Sequence, residues 1–201
     1  MTHVYFIRHA EPNYKNHDDL NRELTEKGLR DRELVTAFFA EKKVDVVLSS
    51  PYRRALDTVS PMASRHGLQI QTVPDFRERK TDSVWIEDFD AFARRQWEDF
   101  SYKLSNGESL GEVQRRNISA LNEALELYAG KTIVIGSHGT ALSKVINYYQ
   151  PLFGWKEFTR IRPLMPWVVH FVFSGNRCDR IEEFDLFSGS LRRWDLPGTP
   201  S

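Results

Sequence analysis

The sequence predicts an α/β fold in which helices cover both faces of a mostly parallel sheet. Four short apolar runs, at residues 2–7, 44–49, 68–73 and 132–136, alternate with amphipathic stretches, and this alternation is typical of βαβ units. Three of the runs are nearly continuous in apolar residues, which indicates strands buried on both faces. We therefore expect a three-layer α/β/α sandwich, formed by one domain over residues 1–201.

Helices are predicted between these strands. Apolar residues at helical spacing indicate helices over about residues 26–42 and 110–129. Ser50 followed by Pro51 predicts an N-cap with proline at the first helical position after the second strand. Ser109 to Glu112 form a capping box at the start of the helix over 110–129, and Gly130 is placed to end it.

Two further segments complete the predicted fold. Residues 79–106 interrupt the alternation with charged and aromatic residues, including Trp85 and Trp97. Phe89, Phe92, Gln96 and Phe100 fall near helical spacing, so this insert is interpreted as an amphipathic helix on the body of the protein, a reading compatible with a wall over an active site. Residues 167–174 and 180–187 flank Gly175-Asn176, which predicts an antiparallel hairpin and hence a mixed sheet.

The composition argues against nucleic acid and membranes as partners. Lysine plus arginine and aspartate plus glutamate number 28 each, so no net charge favours nucleic acid or an anionic membrane. No run approaches the ~18 consecutive apolar residues of a membrane span. Cys178, the single cysteine, has no partner for an intramolecular disulfide, and the N-terminus shows no targeting pattern. A cytoplasmic protein with a small-molecule ligand is the expectation, and the oligomeric state is left open.

Three cationic segments follow predicted strands. They are Arg8-His9, the stretch Ser49 to Ala55 with its two arginines, and Ser137-His138-Gly139. Because the carboxyl ends of parallel strands lie on one edge of a sheet, these segments are expected to converge. Arginine binds phosphate through a planar fork, helix N-termini add N–H donors, and Gly139 permits close backbone approach. A phosphate site with a nucleophilic His9 is therefore predicted.

Other phosphate and metal motifs do not fit. Gly130-Lys131-Thr132 mimics the end of a P-loop, but the glycine required five residues earlier is Leu125 and the segment precedes a strand. Cys178 lacks the arginine six residues later that a thiol phosphatase needs. The six histidines show no compact metal-ligand spacing. Neither a metal nor a cofactor is expected.

The combined motifs resemble the histidine phosphatase superfamily, also called the phosphoglycerate mutase-like family. The matching residues are Arg8-His9-Ala10-Glu11, Leu24-Thr25 with Gly28, Ser49-Ser50-Pro51 leading to Arg54-Ala55, and Ser137-His138-Gly139. The resemblance runs from about residue 2 to about residue 150. It implies a metal-independent phosphatase that forms a phosphohistidine on His9, with Arg8, Arg54 and His138 binding the phosphoryl group. Arg54 is preferred to Arg53 because the family's arginine directly precedes an alanine.

The resemblance also implies an acid that protonates the leaving oxygen. Phe76-Arg77-Glu78 matches the family pattern best, and a bound dianion would favour the protonated form of Glu78. Two departures stand out: Ala10 replaces the usual glycine, and Lys80 to Ser83 lack the usual glycine-containing pattern. Glu108 and Asp82 are therefore alternative acids.

Three functions are compatible with these residues. Mutases of the family carry a longer, more basic insert, whereas here the insert has mixed charge and Arg94-Arg95 as its one arginine pair. A phosphatase acting on a small phosphorylated substrate is therefore favoured. The alternatives are phosphoryl transfer of the mutase or bisphosphatase type, and a non-catalytic module that binds a phosphorylated ligand.

Overall fold

A computed structural model describes residues 1–83 and 86–197 of the protein. Within this part, one mixed sheet contains β1 (Thr2–Arg8), β2 (Val46–Ser49), β3 (Ile70–Thr72), β4 (Thr132–Ser137), β5 (Trp167–Ser174), β6 (Arg177–Asp185) and β7 (Ser190–Trp194). The order across the sheet is β3-β2-β4-β1-β5-β6-β7. The first four pair in parallel, and the last three add on in antiparallel fashion. The predicted α/β class and mixed sheet are confirmed.

Helices cover both faces of the sheet. They are α1 (Glu26–Asp31), α2 (Glu33–Phe39), α3 (Arg53–Arg65), α4 (Phe89–Glu98), α5 (Leu110–Leu127), α6 (Gly139–Tyr149) and α7 (Trp155–Ile161). Phe6 of β1 belongs to a buried cluster with residues of α5 and α6. Its neighbour Ile7 belongs to a second cluster with residues of α2 and α3. Because successive strand residues point to opposite faces, β1 anchors both layers.

Three predictions about the first half of the chain need correction. The helix expected over 26–42 divides at Arg32 into α1 and α2. The strand expected over 68–73 is shorter and lies at the sheet edge, where Gln71 and Thr72 are exposed, so it is not buried on both faces. Helix α3 begins at Arg53, and Ser50 does not cap it: its hydroxyl accepts a hydrogen bond from the Tyr52 N–H at 3.2 Å.

The second half of the chain agrees more closely. The capping box is present, with the Glu112 N–H donating to Ser109 Oγ at 3.2 Å and the Ser109 N–H donating to Glu112 Oε2 at 2.8 Å. Gly130 adopts a φ of 75° after α5. The hairpin forms around Gly175, but its second strand begins at Arg177, and β7 was not predicted. No helix among the described residues has the length and apolar character to cross a membrane.

The predicted insert contains helix α4. Phe92 and Gln96 are buried, Phe89 is partly exposed, and Phe100 lies beyond the helix end. Trp97 belongs to the same buried cluster as the residues of α5 and α6. Helix α4 therefore packs on the same core as α5 and α6, and the single domain over residues 1–201 stays a prediction. Trp85 lies outside the described residues.

The segment around Gly28 packs on the chain that leaves β1. Thr25 caps α1 by accepting from the Gly28 N–H at 3.0 Å and donates to Glu11 Oε1 at 2.8 Å. A Cβ at Gly28 would lie 2.2 Å from the Glu11 carbonyl oxygen. Glycine is required here because the two backbones approach closely. This contact fixes the chain just beyond His9.

Candidate active site

The cationic segments meet at the carboxyl ends of β1, β2 and β4, which are neighbours in the sheet. Arg8, His9, Arg54 and His138 are all buried there. The ring centroids of His9 and His138 are 5.2 Å apart, and Arg54 Nε lies 3.3 Å from His9 Nε2. The structure thus brings together the four residues predicted to form the phosphate site.

His9 is held as a neutral imidazole. Its Nδ1 is 2.7 Å from the Ala10 carbonyl oxygen, and because a carbonyl oxygen can only accept, Nδ1 carries the proton. Nε2 accepts a hydrogen bond from the Arg54 Nε–H, so it is the unprotonated nitrogen and carries the lone pair. Burial and then the charges of Arg54 and Arg8 lower the pKa of His9 well below its usual range. A nucleophile needs this protonation state.

Arg54 is the arginine of helix α3 that reaches His9. Its NH1 donates to the Asp19 carbonyl oxygen at 2.6 Å, and its NH2 lies 3.0 Å from Asp19 Oδ1. Arg53 instead points to Asp57 on the helix surface, with Nε 3.4 Å from Oδ2. The geometry agrees with the choice of Arg54 over Arg53.

Arg8 joins the site to the end of helix α7. Its NH1 donates to the carbonyl oxygens of Ile161 at 2.7 Å and Arg162 at 3.0 Å. Its buried Nε has no hydrogen-bond partner in the described part of the chain. A Cβ at Gly139 would lie 3.1 Å from this Nε. Gly139 therefore makes room for the Arg8 side chain.

His138 occupies the N-cap position of α6. Its Nε2 is 2.8 Å from Ser50 Oγ, and its buried Nδ1 lacks a partner among residues 1–83 and 86–197. Ser50 Oγ also accepts from the Tyr52 N–H. Its hydroxyl can either accept from Nε2–H or donate to Nε2, and an anion beside Nδ1 selects the second arrangement, in which Nδ1 is an N–H donor. Buried donors without acceptors are costly. Oxygens of a bound anion would satisfy both His138 Nδ1 and Arg8 Nε.

Glu78 lies at the N-terminus of α6. It accepts hydrogen bonds from the N–H groups of Thr140 at 3.0 Å, Ala141 at 3.1 Å and Arg79 at 2.8 Å. The prediction that the N–H groups of this helix face the anion is wrong for Thr140 and Ala141, because both donate to the Glu78 carboxylate. The negative charge of Glu78 also acts on Arg8, which places it beside the phosphate site.

Arg116 of α5, which the sequence analysis missed, holds the chain around Glu78. Its NH1 donates to the carbonyl oxygens of Asp75 at 2.7 Å and Arg77 at 2.8 Å, and its NH2 donates to that of Glu78 at 3.1 Å. Its Nε also pairs with Glu108 at 2.8 Å. These bonds fix the backbone that presents Glu78.

The two alternative acids have other partners. Burial raises the pKa of Glu108, but the hydrogen bonds and charges of Arg116 and Arg77 bring it below its usual value. Asp82 Oδ1 accepts from the Ser83 N–H at 2.7 Å within its own loop. The described residues contain no group of three or more histidine, cysteine or acidic side chains that could hold a metal ion.

Buried His9 lies beside Arg8 and Arg54 at the carboxyl edge of the mixed sheet of an α/β protein, an arrangement suited to a nucleophile in an anion site. The chain belongs to the histidine phosphatase superfamily (branch 1), whose family model matches residues 4–179. It is 28% identical over 159 residues to a protein named probable phosphoglycerate mutase GpmB from Yersinia pestis, covering 73% of this chain and 74% of that one.

Solved structures share the fold. Bacillus stearothermophilus YhfR matches with a TM-score of 0.75 and 20% identity, over 89% of this chain and 94% of that one. Phosphoserine phosphatase from Entamoeba histolytica, solved with 3-phosphoglyceric acid, matches with a TM-score of 0.72 and 20% identity, over 99% and 98%. Mycobacterial glucosyl-3-phosphoglycerate phosphatase matches with a TM-score of 0.68 and 20% identity, over 95% and 96%.

Proposed function

We propose that this protein is a phosphatase that hydrolyses phosphate monoesters of small molecules through a phosphohistidine on His9. One observation carries the proposal. His9 Nε2 accepts from Arg54 and is unprotonated, and the neighbouring side chains of Arg8 and His138 each have a buried nitrogen, Nε and Nδ1, that lacks a partner in the described chain. The nucleophile and the donors for phosphoryl oxygens are thus present before a ligand binds.

The first step is an in-line attack of His9 Nε2 on phosphorus. Glu78 takes up one proton when the dianionic substrate binds beside it. The Nε2–P bond then forms while the bond from phosphorus to the leaving oxygen breaks, and Glu78 gives that oxygen its proton. Arg8, Arg54 and His138 hold the three remaining oxygens. The Nδ1 bond to the Ala10 carbonyl oxygen stabilises the positive charge that develops on the ring.

The second step returns the enzyme to its starting state. Water attacks phosphorus, the Glu78 carboxylate takes a proton from that water, and the Nε2–P bond breaks. Inorganic phosphate leaves, Glu78 releases its proton, and His9 is again neutral. The hydrogen bonds from Thr140 and Ala141 keep Glu78 in one place for both proton transfers.

Mutase activity is the second candidate, and the name of the Yersinia relative favours it. The insert argues for the phosphatase. Arg94 and Arg95 are exposed, Arg94 pairs with Glu98 at 3.1 Å, and Arg95 lies 4.0 Å from the ring centroid of Tyr102. Both arginines are therefore engaged by neighbouring side chains on the surface of α4. In these positions they do not bind a second acidic group of a substrate.

The test compares the native protein with His9→Ala and with His66→Ala, which changes a histidine at the end of α3. We expect native protein and His66→Ala to release p-nitrophenol from p-nitrophenyl phosphate, and His9→Ala to release none. Equal release by native and His9→Ala would refute the role of His9, and no release by the native protein would refute the phosphatase. With 3-phosphoglycerate, an isomeric phosphoglycerate in place of free phosphate would establish the mutase.

A further inference from the structure

The loop between β1 and α1 places a second arginine beside Arg54. Arg22 is 8% exposed. Its NH1 lies 3.3 Å from Asp19 Oδ1, and the same oxygen lies 3.0 Å from Arg54 NH2. One carboxylate oxygen therefore bridges two buried guanidinium groups. This bridge is adjacent to the nucleophile, because Arg54 Nε contacts His9 Nε2.

The positive charge of Arg22 reaches the active site. The pKa of Arg22 is lowered by burial and, next, by the charge of Arg54. The pKa of His9 is lowered by burial, by Arg54 and by Arg8, and Arg22 adds a smaller contribution in the same direction. Like charges this close repel strongly unless an anion lies between them. The other hydrogen bond of Arg22, from Nε to the Asn16 carbonyl oxygen at 2.7 Å, supplies no negative charge. Asp19 is the anion between the two arginines.

Asp19 also occupies donors of Arg54 that a phosphoryl group needs. Arg54 directs Nε to His9, NH1 to the Asp19 carbonyl oxygen and NH2 to Asp19 Oδ1. A phosphate that displaces the Asp19 carboxylate takes over the hydrogen bond that Arg54 NH2 directs to Oδ1. The Asp19 side chain is 42% exposed, so it can rotate into solvent.

The backbone of the loop does not depend on the Asp19 carboxylate. The Asp19 carbonyl oxygen accepts from Arg54 NH1 at 2.6 Å, and the Leu20 carbonyl oxygen accepts from the Arg53 N–H at 3.0 Å. Asp18 Oδ1 accepts from the Leu20 and Asn21 N–H groups, both at 3.1 Å. Rotation of the Asp19 side chain leaves these bonds in place.

We propose that the Asp19 carboxylate is an internal competitor for the phosphoryl group, and that its displacement makes Arg22 a third phosphate-binding arginine. This inference rests on the proposed function, whose site it describes. A phosphoryl oxygen in the place of Asp19 Oδ1 would contact both Arg54 and Arg22. A dianion that replaces a single carboxylate adds negative charge beside two cations, whereas a monoanion adds none. The site thereby selects phosphate monoesters over diesters and carboxylates.

The test measures binding of inorganic phosphate by titration calorimetry, which requires no turnover. Asp19→Asn removes the competing charge and keeps the backbone bonds, so phosphate should bind about fivefold tighter. Arg22→Gln should bind phosphate about tenfold more weakly. The matched controls are Asp57→Asn and Arg53→Gln, which break a similar ion pair on the surface of α3 and should leave phosphate affinity unchanged.

The opposite sign would overturn the inference. If Asp19→Asn weakens phosphate binding, the carboxylate serves to position Arg54. If Arg22→Gln lowers the unfolding midpoint but leaves phosphate affinity unchanged, Arg22 is a structural residue. Asp19→Ser also removes the carboxylate, and its phosphate affinity should change in the same direction as that of Asp19→Asn. Circular dichroism checks that both variants are folded. Failure of the proposed function would be recognised separately. If the native protein shows no turnover but Asp19→Asn still raises phosphate affinity, the phosphatase is refuted and this inference is supported.

Discussion

Replacing Lys144 with methionine should stabilise the protein. Lys144 lies on α6 and its side chain has no exposed surface. Its Nζ donates to Asn147 Oδ1 at 2.8 Å and lies 3.2 Å from the ring centroid of Phe100 and 4.9 Å from that of Trp97. No carboxylate pairs with it in the described part of the chain. Burial lowers the pKa of Lys144 to about 7, so the folded protein holds this ammonium poorly.

The magnitude follows from that pKa. A change from 10.5 to about 7 corresponds to roughly 5 kcal/mol of destabilisation at neutral pH, since each unit is worth about 1.4 kcal/mol. Contacts of the ammonium with the aromatic rings offset about 2 kcal/mol of this destabilisation. Methionine has a similar shape and no charge, and Asn147 Oδ1 keeps its hydrogen bond from Gln114 Nε2 at 3.1 Å. The expected gain at pH 7 is therefore about 1–3 kcal/mol.

The pH dependence of this gain has a definite sign. Between pH 7 and pH 10.5 the unfolded chain keeps a proton on Lys144 that the folded chain has lost, so the native protein gains stability from this group as pH rises. Lys144→Met cannot titrate, so its advantage over the native protein should shrink between pH 7 and pH 10.

Urea unfolding at these two pH values measures the effect. The midpoint should rise at pH 7 with an unchanged slope. Lys42→Met is the control, because Lys42 is partly exposed and its Nζ lies 4.6 Å from the ring centroid of Phe38; its stability should change little at either pH. Loss of stability in Lys144→Met at pH 7, or an equal gain at both pH values, would refute the reasoning.

Two further predictions concern catalysis. Arg116→Gln should lower kcat about 10- to 100-fold for phenyl phosphate and much less for p-nitrophenyl phosphate, because it loosens the segment that presents Glu78 as general acid; equal losses for both substrates would argue against this, and Arg115→Gln on the exposed face of α5 is the control. The acidic limb of kcat/KM should lie at higher pH in Arg54→Gln than in the native protein, because the charge of Arg54 lowers the pKa of His9. Since ionisation of the substrate is common to both proteins, identical limbs would contradict that assignment.

The fold could be predicted where burial leaves a periodic signal. The runs that became β1 and β4 are nearly continuous in apolar residues because both strands lie inside the sheet with a helical layer on each face. Strand β7 lies at the edge with Leu191, Arg192 and Arg193 exposed, so no apolar pattern marks it. Edge strand β3 was predicted too long for the same reason.

The site divides along a similar line. Arg8, His9, Arg54 and His138 follow strands or begin helices, so their convergence could be predicted from the rule that the carboxyl ends of parallel strands share one edge. Arg116 was missed because its partners are mainly backbone carbonyl oxygens of a distant loop, which no spacing in the sequence encodes. Asp19 and Arg22 lie in a loop without periodicity, where residue type alone does not reveal a contact.

In the proposed mechanism, the same arginine charges determine both the affinity of the site for phosphate and the reactivity of His9. Arg54 keeps His9 neutral by opposing a second positive charge, and its guanidinium is also the donor that phosphate would bind. Without neighbouring carboxylates, the site would concentrate positive charge on buried arginines that have no counterion. The carboxylates of Asp19 and Glu78 limit that cost in the free protein. Asp19 contacts NH1 and NH2 of Arg54 and not His9, so the compensating carboxylate lies off the nucleophilic nitrogen, whose lone pair is released when the Arg54 Nε–H turns to the phosphoryl group.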